Sequence, residues 1–269
     1  MPFAQGAPAV PGPLRYELLG PLRVVDEHGE HSPSAYKVRL LLATLLGRAG
    51  QVVTMEQLVE AVWGDRAPTR ASANVHVYVS QLRKFLHRDG VTQTPIATQP
   101  PGYRITVAPE SMDQFRFRRL VQEGRGHARA ARHEDAATAF GAALSLWRGP
   151  ALEGLRDSAP LDTLASRLDE DRLECIELLA ESALALGQHR ELIGLLYAAI
   201  DENPLREPFY RQLMLALFRS ERQAEALQLY QLARRTVSDA LGVEPCRSLR
   251  ELHQAILEDD DRLYLRTGA

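Results

Sequence analysis

Hydrophobic spacing changes character along this chain near Pro109. Ahead of it, short β-prone runs alternate with three helix-like runs. Tyr16-Glu-Leu-Leu-Gly20 and Leu22-Arg-Val-Val-Asp26 predict two strands broken at Gly20-Pro21, with a third beyond the His28-Gly29 turn. Ser34 to Arg48 predicts a helix that buries Val38, Leu41, Leu42, Leu45 and Leu46 and is closed by Gly50. Thr54-Met-Glu-Gln57 has the form of a capping box, opening a helix through Leu58, Val59, Val62 and Trp63. In Arg70 to Arg88, the residues Val75, Val79, Leu82 and Leu86 recur at i, i+4, i+7 and i+11, which puts them on one buried side of a helix. Thr94 to Val107 holds two β-prone runs around Pro100-Pro101-Gly102, a hairpin signal.

Behind Pro109 the period is helical throughout. It predicts helices over Met112–Arg132, Glu134–Trp147, Leu161–Leu186, Gln188–Asp201, Pro208–Ser220, Arg222–Leu241 and Pro245–Asp260. Short breaks at Gly187, Asn203-Pro204, Ser220-Glu221 and Gly242 imply antiparallel neighbours. The runs starting at Glu191 and Glu225 lie about 34 residues apart, the tetratricopeptide period, and Ala224 and Ala226 suit its close helix contacts. The fold class expected is mainly α: an N-terminal module of three helices with small β-sheets and a hairpin, then an all-α, TPR-like helical domain.

The helix over Arg70–Arg88 has a second face, made of Arg70, Ala73, Asn74, Val77, Ser80, Gln81 and Lys84. It is small and uncharged at first and cationic towards its end, with no carboxylate before Asp89. Phosphate repels acidic side chains, and large ones hold a helix away from base edges. At about 27 Å long, against a major groove about 12 Å wide, such a helix reaches bases with only its first two or three turns. Its pattern predicts a DNA-recognition helix. An ordinary amphipathic helix with a solvated basic face is the alternative, and the hairpin that follows favours the first. A helix-turn-helix running into a β-hairpin is the winged-helix arrangement.

On this reading Arg70, Arg83, Lys84 and Arg88 neutralise backbone phosphate, while Arg70, Asn74 and Gln81 are able to hydrogen-bond bases. His76 either grazes a phosphate or is an unremarkable surface histidine, and Tyr78, Trp63 and Trp147 are expected to pack. Gly64-Asp-Arg-Ala-Pro-Thr69 is longer than a minimal turn, so it is expected to protrude beside DNA, where it is placed to meet another protein.

Composition adds bounds. The 269 residues suffice for two cores. The net charge of −3 divides unevenly: residues 1–110 carry 11 Lys and Arg against 9 Asp and Glu, and residues 111–269 carry 21 against 26. A mildly basic front and an acidic rear suit a nucleic-acid module joined to a protein-facing one. Cys175 and Cys246 form no metal-ligand pattern, so two reduced thiols are expected. The apolar run Leu40–Leu46 is far too short to span a bilayer, and no membrane association is expected. Residues 1–13 are rich in Pro, Ala and Gly, a disordered lead rather than a secretory signal. No phosphate loop, dinucleotide fingerprint, HExxH or nucleophile elbow occurs, so neither an enzyme nor a cofactor is expected. The acidic runs Asp169–Asp171 and Glu258–Asp261 put adjacent carboxylates in different directions, as on a solvated surface.

Asn74-Val-His-Val-Tyr-Val-Ser-Gln-Leu-Arg-Lys84, followed by Pro101-Gly-Tyr-Arg104, resembles the winged-helix output domain of OmpR/PhoB-type response regulators. In that family Tyr103 would pack under the wing, and wing residues, here Gln99 and Arg104, approach the minor groove. Many relatives carry Arg just before the wing turn where this chain has Gln99, Pro100 and Pro101, which leaves the wing contact in question. Leu146-Trp-Arg-Gly-Pro-Ala-Leu152, Glu177–Gly187, Pro204–Leu217, Arg222–Leu227 and Leu241–Pro245 together look like the bacterial transcriptional activation domain. A winged helix (14–110) followed by that domain (111–269) resembles the Streptomyces antibiotic regulatory proteins (SARPs), of the small type, over about residues 14 to 260.

The resemblance implies a cytoplasmic, nucleoid-associated activator of an antibiotic or secondary-metabolite gene cluster. It implies binding to direct repeats in double-stranded promoter DNA near the −35 element, with two protomers side by side. It also implies recruitment of RNA polymerase holoenzyme through the sigma factor, the alpha C-terminal domain and the beta flap. The protruding loop with Gly64, Asp65, Arg66 and Thr69, together with Arg70, is the surface expected to meet it; solvated loop charges are the alternative for Asp65 and Arg66. A TPR-like signalling adaptor and a DNA-binding repressor remain as alternatives.

Overall fold

The computed structural model describes residues 14–87 and 95–264; the lead at 1–13 and Arg88 lie outside them. The chain divides into two compact units, residues 1–119 with 145–171 and residues 120–144 with 172–269. It is mainly α, and among the described residues the small sheets belong to the first unit.

The first unit opens on an antiparallel meander of β1 (Arg15–Glu17), β2 (Arg23–Asp26) and β3 (Gly29–His31). Its register sets Tyr16 opposite Val24, both buried, and Glu17 opposite Arg23, which pair as ions. A buried apolar pair thus stands next to a half-buried charged one, on opposite faces of the pleat. Next comes α1 (Tyr36–Gly47), with Leu41, Leu42, Leu45 and Leu46 fully buried. It starts later than Ser34 because Ala35 is still extended. Gly50 lies past the helix end at φ +82°, and its N–H donates to the Ile105 carbonyl at 2.9 Å.

α2 (Met55–Trp63) begins at the expected capping box: Gln57 N–H donates to the Thr54 hydroxyl at 3.2 Å, and Thr54 N–H donates to Gln57 Oε1 at 3.1 Å. A 3₁₀ turn, Gly64–Arg66, leads to α3 (Ala71–Phe85), and α1 packs against both α2 and α3. α3 has 15 residues, which makes it about 22 Å long and shorter than its hydrophobic pattern suggested.

β4 (Val53–Thr54), unforeseen in the pattern because it is only two residues long, pairs with β6 (Gly102–Ile105), which pairs with β5 (Ile96–Gln99). Gly102 is what lets β4 and β6 meet, since a Cβ there would stand 1.9 Å from the Val53 carbonyl oxygen. Three helices with this sheet and its β5–β6 hairpin make the winged helix.

The first unit continues past residue 110 through buried polar contacts that hydrophobic spacing does not reveal. Asp113 opens α4 (Asp113–Arg129) and is buried; its carboxylate accepts the N–H groups of Leu18 and Leu19 at 2.8–2.9 Å. Arg148 stands 3.7 Å from Asp113 and 3.3 Å from Glu17, and donates to the Pro21 carbonyl at 3.1 Å. Arg148 N–H and Leu152 N–H donate to the carbonyls of Leu19 and Leu18. Backbone groups after β1, which would otherwise be buried unpaired, are satisfied by these two segments. Burial pushes the Asp113 carboxyl up to about 6, against the pull of its backbone donors and Arg148.

The unit boundary falls inside α4 and inside α6 (Ala159–Ala185). The second unit holds α5 (His133–Leu144), α7 (His189–Glu202), α8 (Glu207–Arg219), α9 (Gln223–Leu241) and α10 (Arg247–Leu257). α8 is its centre, packing against α7, α9 and α10 with Phe209, Tyr210, Leu213, Met214 and Leu217 buried. Ala226 and Ala233 of α9 are fully buried, so small side chains do permit close helix contact there. Gly187 and Gly242 turn the chain at φ +77° and +70°. Among the described residues no helix is long and apolar enough to cross a membrane.

Candidate nucleic-acid interface

α3 divides its two sides as the spacing predicts. Ala71, Val75, Val79 and Leu82, with Leu86 just past its end, are buried. Each large apolar side chain there contributes about 1.5–3 kcal/mol, which fixes how the helix is rotated. Arg70, Ala73, Val77, Ser80, Gln81 and Lys84 are exposed, and Asn74 is half-buried. Val77 is 53% exposed, an apolar side chain in water at the middle of a face without a carboxylate. That combination suits the major groove, where Asn and Gln can pair with adenine and an apolar group can meet a thymine methyl.

The hairpin is fastened to the flank of this face. Arg83 Nε donates to the Ile96 carbonyl at 3.2 Å, and its Nη2 donates to the Thr98 hydroxyl at 2.9 Å. Its guanidinium lies 5.8 Å from the ring centre of Tyr103, within cation–π range. Tyr103 is buried beneath the hairpin, and its hydroxyl stands 2.5 Å from His76 Nδ1. α3 is thereby tied to β5 and β6 through side chains on one flank, at Arg83 and His76. Among the described residues every Arg83 partner is neutral, so none of them cancels the positive charge beside the groove face.

Gln99 and Arg104 are half-buried, and Pro100 and Pro101 at the hairpin tip are exposed. Arg104 Nε is buried without a hydrogen-bond partner among the described residues. On the other side of α3, residues 64–70 are exposed throughout, including Gly64, Asp65, Arg66 and Thr69. Gly64 adopts φ +54° and ψ −136°, a conformation that resists a side chain. The root of this turn is held by Trp63, which stacks on Tyr78 at 5.9 Å and carries Lys37 Nζ 5.1 Å from its ring centre.

The structure therefore gathers Arg70, Ala73, Asn74, Val77, Ser80, Gln81 and Lys84 on one open face, with Arg83 at its edge. The wing residues Gln99 and Arg104 stand on the hairpin beside it, and the turn residues lie beyond the head of the helix. His76 and Tyr103 form the link that spacing could not foretell, because it joins residues 27 apart.

Comparison with known proteins matches residues 112–257 to the bacterial transcriptional activator domain. Residues 31–105 match the domain described as transcriptional regulatory protein, C terminal. The transcriptional regulatory protein EmbR of Mycobacterium tuberculosis is 36% identical over 94% of this chain, which spans 65% of EmbR's own length. The regulatory protein DnrI of Streptomyces peucetius is 32% identical, over 92% of this chain and 93% of its own. The regulatory protein AfsR of Streptomyces coelicolor is 37% identical over 94% of this chain, which spans 25% of AfsR. A solved structure of M. tuberculosis EmbR in complex with a low-affinity phosphopeptide superposes with a TM-score of 0.87 at 36% identity, covering 91% of this chain and 65% of that one.

Proposed function

Because the chain belongs to the Streptomyces antibiotic regulatory protein family, in which an OmpR/PhoB-type DNA-binding domain precedes a bacterial transcriptional activator domain, we propose that it activates transcription from specific promoters of a secondary-metabolite cluster. α3 enters the major groove of a direct repeat near the −35 element. Asn74, Gln81 and Arg70 read base edges, while Arg70, Arg83, Lys84 and Arg88 neutralise phosphate. Ala73, Val77 and Ser80 keep the helix close to the bases, and Gln99 and Arg104 follow the backbone towards the minor groove. A second protomer occupies the next repeat about one helical turn away.

The observation that carries this reading is the state of the cations. Arg70 and Lys84 make no ion pair among the described residues, and Arg83 is held by neutral groups. A row of unneutralised cations beside an acid-free face is the footprint of a phosphate-binding surface. The exposed turn with Gly64, Asp65, Arg66 and Thr69 meets RNA polymerase holoenzyme, whose sigma factor, alpha C-terminal domain and beta flap are the surfaces implied by family membership. Even a weak contact suffices once DNA holds both partners close, since effective concentrations reach the millimolar range. The protein works in the cytoplasm, on the chromosome, and without a cofactor.

Footprinting on promoters of its own gene neighbourhood, followed by transcription in vitro with purified holoenzyme, tests this. Protected direct repeats and a raised transcript are expected. A lowered transcript would make the protein a repressor, and a promoter that is neither bound nor affected would leave only an adaptor.

A further inference from the structure

A cleft of about 290 Å³ opens beside the Gly64–Arg66 turn, within the first unit. Its lining includes three carboxylates, those of Glu60, Asp65 and Asp157, and no Lys, Arg or His. Glu60 and Asp65 make no ion pair among the described residues. Asp157 receives one long hydrogen bond, from the Tyr36 hydroxyl at 3.4 Å. A fourth group is more telling. Ser158 lines the same cleft, is only 7% exposed, and its hydroxyl is buried without a hydrogen-bond partner among the described residues. It stands immediately ahead of α6, where a serine hydroxyl ordinarily caps the helix. Here it does not, and buried polar groups are rarely left unmatched.

We propose that this cleft receives an arginine side chain from the protein partner that meets the Gly64–Arg66 turn. The inference rests on the activation reading above and gives that contact its chemistry. Three carboxylates without a lining cation select a positive group. The volume sits just under the range of about 300–1,000 Å³ usual for small-molecule sites, so one long side chain fits better than a cofactor. Arginine presents five N–H donors in a planar fork, enough to serve carboxylates and the Ser158 oxygen together, where lysine offers one compact ammonium. Its aliphatic stem would run along the edges of Tyr36 and Trp63. Edges, not faces, are meant: Arg39 and Lys37 already lie 5.6 and 5.1 Å from the centres of those rings.

The test uses the full-length protein with promoter DNA and purified holoenzyme. Glu60→Gln combined with Asp157→Asn should leave promoter affinity within about twofold and weaken holoenzyme capture on that DNA about tenfold or more, as when a desolvated ion pair loses one partner. Ser158→Ala should weaken capture in the same direction by less. Unchanged capture by the double variant overturns the arginine site while leaving activation intact. A wild-type protein that captures no holoenzyme and raises no transcript overturns the activation reading itself.

A second measurement needs no variant. Titrating the wild-type chain with N-acetyl-arginine amide should shift the backbone amide resonances of Glu60 and Ser158. N-acetyl-lysine amide should shift them more weakly, and N-acetyl-glutamate amide should not shift them. No response to the arginine probe, or equal responses to all three, overturns the proposal.

Discussion

Charges on the surface of α3 and charges on the helices of the second unit are treated in opposite ways. In the second unit several arginines are answered by carboxylates, while Arg219 and Arg235 are held by backbone carbonyls. Arg206 pairs with Glu177, Arg222 with Glu225, Arg234 with Glu244 and Arg247 with Glu251, all four at 2.5–2.7 Å. Around α3, Arg70 and Lys84 have no such partner among the described residues, and Arg83 is held by a carbonyl, a hydroxyl and an aromatic ring. The difference lies in the availability of charge rather than in its amount. A paired arginine offers little field to a distant phosphate, whereas an unpaired one attracts it and releases a counterion on contact. The overall charge of −3 conceals this, which is why composition alone points only faintly at DNA.

Placing a carboxylate on the open face should break the contrast most severely. Val77→Glu changes an exposed position, so the melting temperature should hold. Affinity for promoter DNA should fall about 100-fold or more, because the new charge faces phosphate and displaces an apolar group from the groove. Fluorescence anisotropy on a promoter fragment reads this directly. An unchanged Kd would mean that this face stays in water when the protein works.

Asn74→Ala is next. Its loss should be about 1–3 kcal/mol on the cognate site, with relaxed preference at a single base position. Binding to random DNA should not change. Equal losses on cognate and random sequences would remove Asn74 from base reading. Lys84→Ala should behave in the complementary way, weakening every sequence alike and lowering the slope of log K against log salt by about 0.9. A salt series across both variants separates reading from neutralising within one helix.

How much of this could be seen in the sequence follows the range of the interactions. Val75, Val79, Leu82 and Leu86 announce the buried side of α3, because helical period is a local property, and all four are at most 3% exposed. The same holds for the capping box at Thr54 and Gln57 and for the later helices, whose ends mostly fall within two or three residues of their expected places. Invisible were contacts whose two halves lie far apart: Asp113 with Leu18, Arg148 with Glu17, Gly102 against Val53, and His76 with Tyr103. Each depends on two elements already being in position, which no window of neighbouring residues can report. The open face was legible by what it lacks, the acidic residues; the partners of Arg83 were not.

Tyr103→Phe probes one of those hidden links, and its effect should be smaller than the three above. It removes the hydroxyl beside His76 and leaves the ring beneath Arg83 in place. The hairpin should stay folded, with DNA affinity reduced about threefold or less, because only one of the ties between α3 and the wing is cut. Hydrogen exchange should quicken at β5 and β6 while remaining unchanged in α8.

The smallest effect is expected from Arg234→Ala in the second unit. Arg234 and Glu244 lie at the surface as a paired couple, joined by hydrogen bonds of 2.7 and 2.8 Å, with the Arg234 pKa raised and the Glu244 pKa lowered by each other. Exposed pairs contribute little, so the melting temperature should barely move, and the salt slope of DNA binding should match that of the wild type. Lys84→Ala removes the same formal charge with the opposite outcome, since Lys84 has no ion-pair partner among the described residues. If both variants flattened the salt slope equally, total charge rather than its pairing would govern binding, and the contrast between the two surfaces would no longer explain why α3 is the one that meets DNA.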